Sequence, residues 1–294
     1  MDKEKNTVWY GRRYPCKNGV VEETRYPVTL QSKKLTRRQK QRTAKKSGRA
    51  SDNAERQAGR LLNNNFAVQN SVHILLTYSE SGYKKLQSRS ESYISEGINE
   101  RDALYKAAQK ELENGVRRVQ HKRKGIKYLA VTSDIDGKTL EPVRVHHHVV
   151  IERECLKLWC EKWARMGLTL ERELYAVNGD LSPMASYMIK QVRYIPDAKR
   201  YTPSRNLTMP EASEPFEITY NPLDEITIPN GAQLLYRSQY SPGLSQYVRY
   251  LAPATWMKLQ QSGQIERSAI TSGQLVGAPC IPKGYQQIYY NTQA

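Results

Sequence analysis

Residues 143–151 read VRVHHHVVI and place three of the chain's five histidines side by side. The surrounding β-branched residues are typical of a buried strand. Since side chains alternate between the two faces of a strand, His146 and His148 are expected on one face and His147 on the other. Two imidazoles on one face form a preformed site for a divalent metal that still needs a third ligand. The alternative is a set of structural, hydrogen-bonded histidines, although burying three imidazoles without partners or a metal is costly.

The third ligand of such a metal is expected on a neighbouring strand or its turn. Asp134 is the first candidate, because it follows the predicted strand 125–132 and a hairpin would bring it close to the histidines. The Asp-Gly turn chemistry of residues 134–139 (DIDGKT) supports that hairpin. The alternatives are Asp136, Glu141 and, on the first predicted strand, His73.

The segments around the histidine strand predict an α+β fold, with a central antiparallel sheet and helices packed on one face of it. Apolar, β-branched or alternating runs predict further strands at residues 71–78, 125–132, 169–177, 233–240 and 246–251. Apolar residues at helical spacing, with a Ser-Pro start for the last helix, predict helices at residues 98–113, 152–166 and 182–193.

A second group of reactive side chains lies on the predicted helix 182–193. Tyr187, Lys190 and Gln191 share one face of this helix, so a phenol and an ammonium stand side by side. A phenol with a pKa of about 10 is a poor nucleophile at neutral pH unless a cation or a metal-activated electrophile is near. With a metal on the histidine strand polarising a phosphodiester, Tyr187 could attack phosphorus while Lys190 offsets negative charge.

The composition points to a polyanionic partner. The 294 residues carry a formal net charge of +17, and residues 31–60 alone hold eleven Lys and Arg against two acids. No stretch approaches the roughly 18–20 apolar residues that a membrane span needs, and the basic run lacks the apolar face of a membrane-surface helix. Nucleic acid is therefore the expected partner, with no membrane contact. The residues expected to contact DNA are Arg37, Arg38, Lys45, Lys46, Arg193 and Arg205.

Three regions are expected along the chain: a basic, flexible N-terminal arm over residues 1–60, a folded domain over residues 61–252 and a tail over residues 253–294. A short helix from Asp52 to Leu62 is the alternative for the end of the arm. The first residues lack the apolar region of a signal peptide, and the four cysteines form no CxxC pair. A cytoplasmic protein is therefore expected.

Three segments of the chain, taken in their order along the sequence, resemble the motifs of a known family. They are ILLTY at residues 74–78, the histidine triplet within VHHHVVI, and Tyr187-Met-Ile-Lys190 about 40 residues later. Together they resemble the rolling-circle replication initiators, the HUH endonucleases of plasmids and phages. The segment KRYTPSRNL at residues 199–207 adds to the resemblance, and SQYVRYL at residues 245–251 does so more weakly.

By this resemblance the fold is an HUH endonuclease domain with an RRM-like palm, in which His146 and His148 bind Mg²⁺ or Mn²⁺. Tyr187 would be the nucleophile and Lys190 its helper. The implied reaction nicks and rejoins single-stranded or hairpin origin DNA in a bacterial host, through a covalent 5′-phosphotyrosine and a free 3′-OH primer. Two features depart from the family: VTSDID at residues 131–136 stands where many members have a glutamate ligand, and a second tyrosine four residues after the first is absent. The sequence also has no GxxxxGK[ST] phosphate loop, so a separate helicase and a host DNA polymerase are expected partners.

Alternative functions stay open at this point. A mobilisation relaxase or a single-tyrosine transposase would use the same chemistry. A non-catalytic single-stranded DNA-binding protein would need only aromatic residues for stacking and positive charge for phosphate contact. A basic α+β domain with a structural histidine cluster would show no metal dependence.

Overall fold

The computed structural model describes residues 7–29, 49–137, 139, 141–172, 174–193, 195, 199–218, 226–238 and 245–261, and their strands form two antiparallel sheets. The first sheet consists, in spatial order, of β8 (Phe216–Glu217), β1 (Thr7–Pro15), β2 (Val20–Thr29), β10 (Gln246–Leu251) and β9 (Gln233–Arg237). The second consists of β6 (Thr169–Arg172), β3 (Ser71–Leu76), β5 (Pro142–Glu152), β4 (Tyr128–Ile135) and β7 (Thr202–Pro203). The helices are α1 (Arg49–Asn65), α2 (Glu80–Ser95), α3 (Glu100–Lys122), α4 (Leu156–Trp163), α5 (Ser182–Lys190) and α6 (Pro253–Gln261).

The histidine strand β5 is the central strand of the second sheet. It pairs antiparallel with β3 on one side, where Leu75 lies opposite His148, and with β4 on the other, where Ser133 lies opposite His146. The predicted antiparallel pairing of the strands around the Asp-Gly turn is thereby confirmed. Every residue of β3 and β4 is buried.

Helices cover both faces of this sheet, so the predicted arrangement with helices on one face was wrong. On one face, α3 and α4 bury Trp159 and Trp163 against the sheet. On the other, α1 and α5 pack Leu62 and Met188 against Leu129. Strands covered on both sides are apolar on both sides, which explains why their sequences are apolar runs with little polar alternation.

Several predicted element boundaries shift in the structure. The helix predicted at residues 98–113 belongs to the longer α3, and α2 precedes it without having been predicted. Helix α2 is hard to detect because it buries few residues, among them Leu86. The two helices are separated at Gly97, whose φ of 85° is accessible mainly to glycine, and the Asn99 side chain caps α3 by accepting from the Asp102 N–H. Three other predicted ranges shorten: strand 169–177 to β6, helix 152–166 to a 3₁₀ turn followed by α4, and helix 182–193 to α5.

Residues 7–29, predicted as part of a flexible arm, form the hairpin β1–β2 in the middle of the first sheet. The prediction missed this hairpin because its strands bury charged residues. Glu23 lies between Arg13 and Arg25 at 2.7 and 3.2 Å, so its buried carboxylate is neutralised within the sheet. The alternative helix starting near Asp52 is confirmed in its position by α1.

Other predictions fall on parts of the chain outside the described residues. These are the DNA contacts of Arg37, Arg38, Lys45 and Lys46, and most of the predicted tail, residues 262–294. Among the helices that the structure does describe, none combines the length and the apolar character needed to cross a membrane.

Helix α1 connects the two sheets. Towards the first sheet, its Arg60 pairs with the buried Glu22 at 2.7 Å and stacks 3.5 Å above the Tyr14 ring. Towards the second sheet, its apolar residues pack on α5, in the core that includes Leu129. Polar contacts of the same helix also reach the turn that begins α5, where Asn63 binds Asp180.

Candidate active site

Three histidines meet on the face of the second sheet that α1 and α5 cover. The Nε2 atoms of His146 and His148 are 3.1 Å apart, and the Nδ1 atom of His148 is 3.1 Å from Nε2 of His73. All three side chains are buried. The predicted alternation of the triplet is therefore confirmed, and a histidine from β3 joins the pair on β5.

His147 points to the opposite face and makes two hydrogen bonds there. Its Nε2 lies 2.7 Å from the Tyr78 hydroxyl and its Nδ1 lies 3.0 Å from the Thr132 hydroxyl. Its ring also packs against Trp163, with the ring centroids 5.5 Å apart. Both ring nitrogens are thus satisfied, as expected of a structural histidine.

The environment keeps the imidazoles of the cluster neutral. Burial lowers the pKa of His73 to about 3 and also lowers the pKa values of His146 and His148. The Nδ1 atom of His146 lies 2.9 Å from the Arg144 carbonyl oxygen, which can only accept, so this nitrogen carries the proton and Nε2 carries a lone pair.

This donor set suits a small divalent cation. The 3.1 Å separation of the His146 and His148 Nε2 atoms equals that of two neighbouring ligands of one ion with metal–nitrogen bonds of about 2.1 Å. His73, through its contact with the other nitrogen of His148, is positioned to hold that ring in place. The residues present therefore fit a metal held by His146 and His148.

Tyr187 lies against this cluster. Helix α5 buries Met184 and Met188 in the core and directs the Tyr187 ring edge-on towards the histidines, with centroids 5.5 Å from His148 and 6.3 Å from His73. Burial raises the pKa of the Tyr187 phenol, and a hydrogen bond with the Gln191 side chain lowers it. The negative charge of Asp136 raises this pKa as well, and the positive charge of Arg172 lowers it. At neutral pH the side chain is thus a phenol, which needs a neighbouring positive charge to react as a phenolate.

Asp134, the first candidate for a third ligand, is occupied elsewhere. Its carboxylate accepts from Arg193 Nε at 2.8 and 3.0 Å and from Arg101 Nε at 2.9 Å. It lines a cleft of about 570 Å³ together with Val145 and Tyr105, on the face to which His147 points. The β-bulge between Ser133 and Ile135 falls at this residue. Asp134 is therefore paired with two arginines, and its role as a metal ligand stays a prediction, whereas His73 is the residue that contacts the His148 ring.

The predicted cations fall into two groups. Arg193, expected to contact DNA, is held by Asp134 and Asp102 and has its charge neutralised within the fold. Lys190 at the end of α5 and Arg205 after β7 are exposed, and no ion pair joins either to another described residue. Among these three cations, Lys190 and Arg205 are the ones whose charge no described carboxylate neutralises.

The positions of two residues in the site were not predicted from the sequence. Gln191, expected only to share a face with Tyr187, is buried beside His148 and donates to the Tyr187 carbonyl oxygen at 3.2 Å. Arg172 on β6 lies directly opposite His73. Arg172 lies in the alternating segment TLERELYAV, which predicts a strand. The sequence does not show which face of the sheet the Arg172 side chain occupies, because this depends on the strand that pairs with β6.

Another group of metal-type ligand atoms lies at the far end of β5. Glu152, Glu154 and Cys155 have one ligand atom each within 4.8 Å of the others in the described structure. Burial raises the pKa of the Cys155 thiol.

Comparison with known proteins leaves the geometry as the main guide to function. No family model, no curated protein and no solved structure matches this chain.

Proposed function

We propose that the chain is a metal-dependent enzyme that nicks and rejoins single-stranded DNA through Tyr187, and that it initiates rolling-circle replication. The observation that carries the proposal is the position of the Tyr187 ring 5.5 Å from the ring of His148, on a neutral histidine pair that fits a divalent cation. The resemblance of the histidine strand and of Tyr187-Met-Ile-Lys190 to HUH endonucleases supports the same chemistry.

The reaction is a transesterification at phosphorus. The Tyr187 hydroxyl oxygen forms a bond to phosphorus, the bond from phosphorus to the 3′ oxygen breaks, the phenol proton is lost and the departing 3′ oxygen gains one. A divalent cation, Mg²⁺ or Mn²⁺, held by His146 and His148 would supply Lewis-acid polarisation of the phosphodiester. Since the number of phosphoester bonds is unchanged, the reverse reaction can rejoin the strand.

The burial of the site helps this chemistry. His73 contacts the Nδ1 atom of His148 at 3.1 Å and holds that ring in place while a substrate binds. Low surrounding polarity strengthens the attraction between a phosphodiester and nearby positive charge. The proposed substrate is a single-stranded or hairpin origin, and unwinding and synthesis fall to a separate helicase and a host polymerase.

A denaturing gel tests the proposal. The protein is incubated with Mn²⁺ and a 3′-labelled pool of oligonucleotides from the replicon that carries the gene. We expect a labelled band that migrates with the protein, because the 5′-phosphotyrosine retains the labelled 3′ fragment. The band should disappear in Tyr187→Phe and with EDTA, and should persist in the matched control Tyr175→Phe, a partly buried tyrosine of the same core.

Two results would contradict the proposal. An adduct that forms equally in Tyr187→Phe would place the nucleophile elsewhere. Tight binding in a native gel with no adduct on any sequence would favour a non-catalytic single-stranded DNA-binding protein.

A further inference from the structure

Arg172 lies at the edge of the second sheet, next to the site. Strand β6 is the outermost strand of that sheet among the described residues, and Arg172 pairs across it with His73. Residues directly opposite in an antiparallel pair point to the same face, so the Arg172 side chain stands on the face that carries the histidine cluster and Tyr187. The neighbouring Leu168 is 65% exposed, so this edge is open to solvent.

The Arg172 guanidinium has an unusual set of partners. Its buried Nε atom has no hydrogen-bond partner among the described residues, and its Nη1 atom makes only a 3.5 Å contact with the Glu171 carbonyl oxygen. The adjacent Glu171 carboxylate is used by Arg153 at 2.6 Å. No ion pair joins Arg172 to any carboxylate in the described part of the chain.

Three partly or fully buried arginines elsewhere in the fold are neutralised by carboxylates. Arg25 pairs with Glu23, Arg60 with Glu22 and Arg249 with Asp180, at 3.2, 2.7 and 2.7 Å. A buried guanidinium donor without a partner is costly, and Arg172, unlike these three arginines, has no carboxylate partner among the described residues while it lies opposite His73 at the candidate site. Such a donor is available to an anion that arrives from outside.

The charge of Arg172 also reaches the reacting group. It lowers the pKa values of both His73 and Tyr187, after the larger effects of burial and, for Tyr187, of the Gln191 hydrogen bond and the Asp136 charge. Lys190, by contrast, is exposed at the end of α5. Of these two cations, Arg172 is the one whose field is felt at the phenol.

We propose that Arg172 is a catalytic residue that binds a non-bridging oxygen of the scissile phosphodiester and offsets the negative charge that develops as Tyr187 attacks. This inference rests on the proposed function. A guanidinium presents several donors in a planar fork that matches two phosphate oxygens, so an arginine suits this position better than a lysine. The bound phosphate would satisfy the donor that the fold leaves open.

The test compares the wild type and three variants on two substrates. Rates of adduct formation are measured at saturating oligonucleotide in Mn²⁺ for the wild type, Arg172→Ala, Arg172→Lys and the matched control Arg153→Ala. Arg153 lies near the same sheet edge and is exposed in an ion pair with Glu171. The second substrate carries a neutral methylphosphonate at the mapped scissile position.

On the natural phosphodiester we expect Arg172→Ala to react about 10²-fold more slowly, the usual effect of removing one donor to a developing oxyanion, and Arg172→Lys to recover part of this loss. Arg153→Ala should keep the wild-type rate within about twofold, as expected when only a surface ion pair is lost. On the methylphosphonate the gap between wild type and Arg172→Ala should largely close, because the charge that Arg172 offsets is gone.

A purely structural role predicts equal loss on both substrates, and that result would overturn the inference. So would a wild-type rate in Arg172→Ala. If the wild type itself forms no adduct, the proposed function fails. The affinity for the phosphodiester oligonucleotide then tests whether Arg172 contacts phosphate. Weaker binding by Arg172→Ala than by Arg153→Ala supports this contact, and equal binding refutes it. Thermal unfolding of each variant verifies that it is folded. If Arg172→Ala is not folded, the rates of Arg172→Lys on the two substrates are compared with those of the wild type instead.

Discussion

Neighbouring histidines on one strand have different roles because the strand alternates. His146 and His148 face a tyrosine across a space that suits a cation, whereas His147 is fixed between the hydroxyls of Tyr78 and Thr132. The same residue type thus lies in the proposed active site on one face and is structural on the other. Mutation of adjacent residues should separate stability from chemistry.

His147→Ala is expected to lower the free energy of unfolding by about 2–4 kcal/mol, because it leaves two buried hydroxyls without a partner and a gap beside Trp163. Urea unfolding measures this change, with the exposed His121→Ala as control. The folded fraction of His147→Ala should form the DNA adduct at a near wild-type rate, while His148→Ala should lose it. Equal loss of adduct in both variants would contradict the separation.

At this scale the residues of the site were partly predictable. The alternation rule was enough to place His146, His147 and His148, since it depends only on strand geometry. It could not place the Asp134 carboxylate, because a bulge interrupts β4 there and because two arginines from distant parts of the sequence pair with that carboxylate. Contacts of that kind have no local signature in a sequence.

The start of α5 is fixed by residues from other elements. Asp180 accepts from the Ser182 N–H at 2.8 Å and from Asn63 of α1 at 3.0 Å, and its second oxygen accepts from Arg249 of β10 at 2.7 Å. One buried carboxylate therefore ties the helix that carries Tyr187 to α1 and to the first sheet.

Asp180→Ala should lower the free energy of unfolding by about 3–5 kcal/mol, because it leaves Arg249 buried without its counter-charge. Equilibrium urea unfolding provides the measurement. The control is Glu113→Ala, which breaks the exposed pair with Lys110 and should cost under about 1 kcal/mol. If adding Arg249→Ala to Asp180→Ala recovers none of the stability, the explanation by an unpaired charge is wrong.

Elements differed in how well the sequence revealed them. Strands β3, β4 and β5 are apolar runs; β3 and β5 were predicted close to their true bounds, whereas β4 was predicted three residues too early. Strands β1 and β2 were not, because Glu22, Glu23 and Arg25 lie in them and their burial depends on ion pairs with partners elsewhere in the fold. Composition alone describes such segments as polar.

For the whole molecule, the buried histidines predict acid sensitivity. Burial lowers the pKa values of His73 and His147 to about 3 and lowers those of His146 and His148 as well. An unfolded chain takes up protons on these residues below about pH 6.5, while the folded chain does not. Above that pH the histidines are neutral in both states and add no pH dependence, whereas below it proton uptake by the unfolded chain increasingly lowers the free energy of unfolding.

The stability measured by urea unfolding should decline between pH 7 and pH 5, by about 1.4 kcal/mol per pH unit for each histidine in the lower part of this range. His121→Ala should show the wild-type decline, since this residue is exposed. Stability that stays constant from pH 7 to pH 5 would be incompatible with four neutral buried imidazoles.

The first sheet has a consequence for how the protein is made. Its central partners, β2 and β10, come from opposite sides of the second sheet in the sequence, and β10 also supplies Arg249 to the turn before α5. On a translating ribosome, β1 and β2 emerge early but have no partner on that side until residue 251 has left the exit tunnel. The nascent chain therefore carries its histidines and its tyrosine without the contact that fixes α5 until β10 has emerged, and full assembly of the site waits for this last strand.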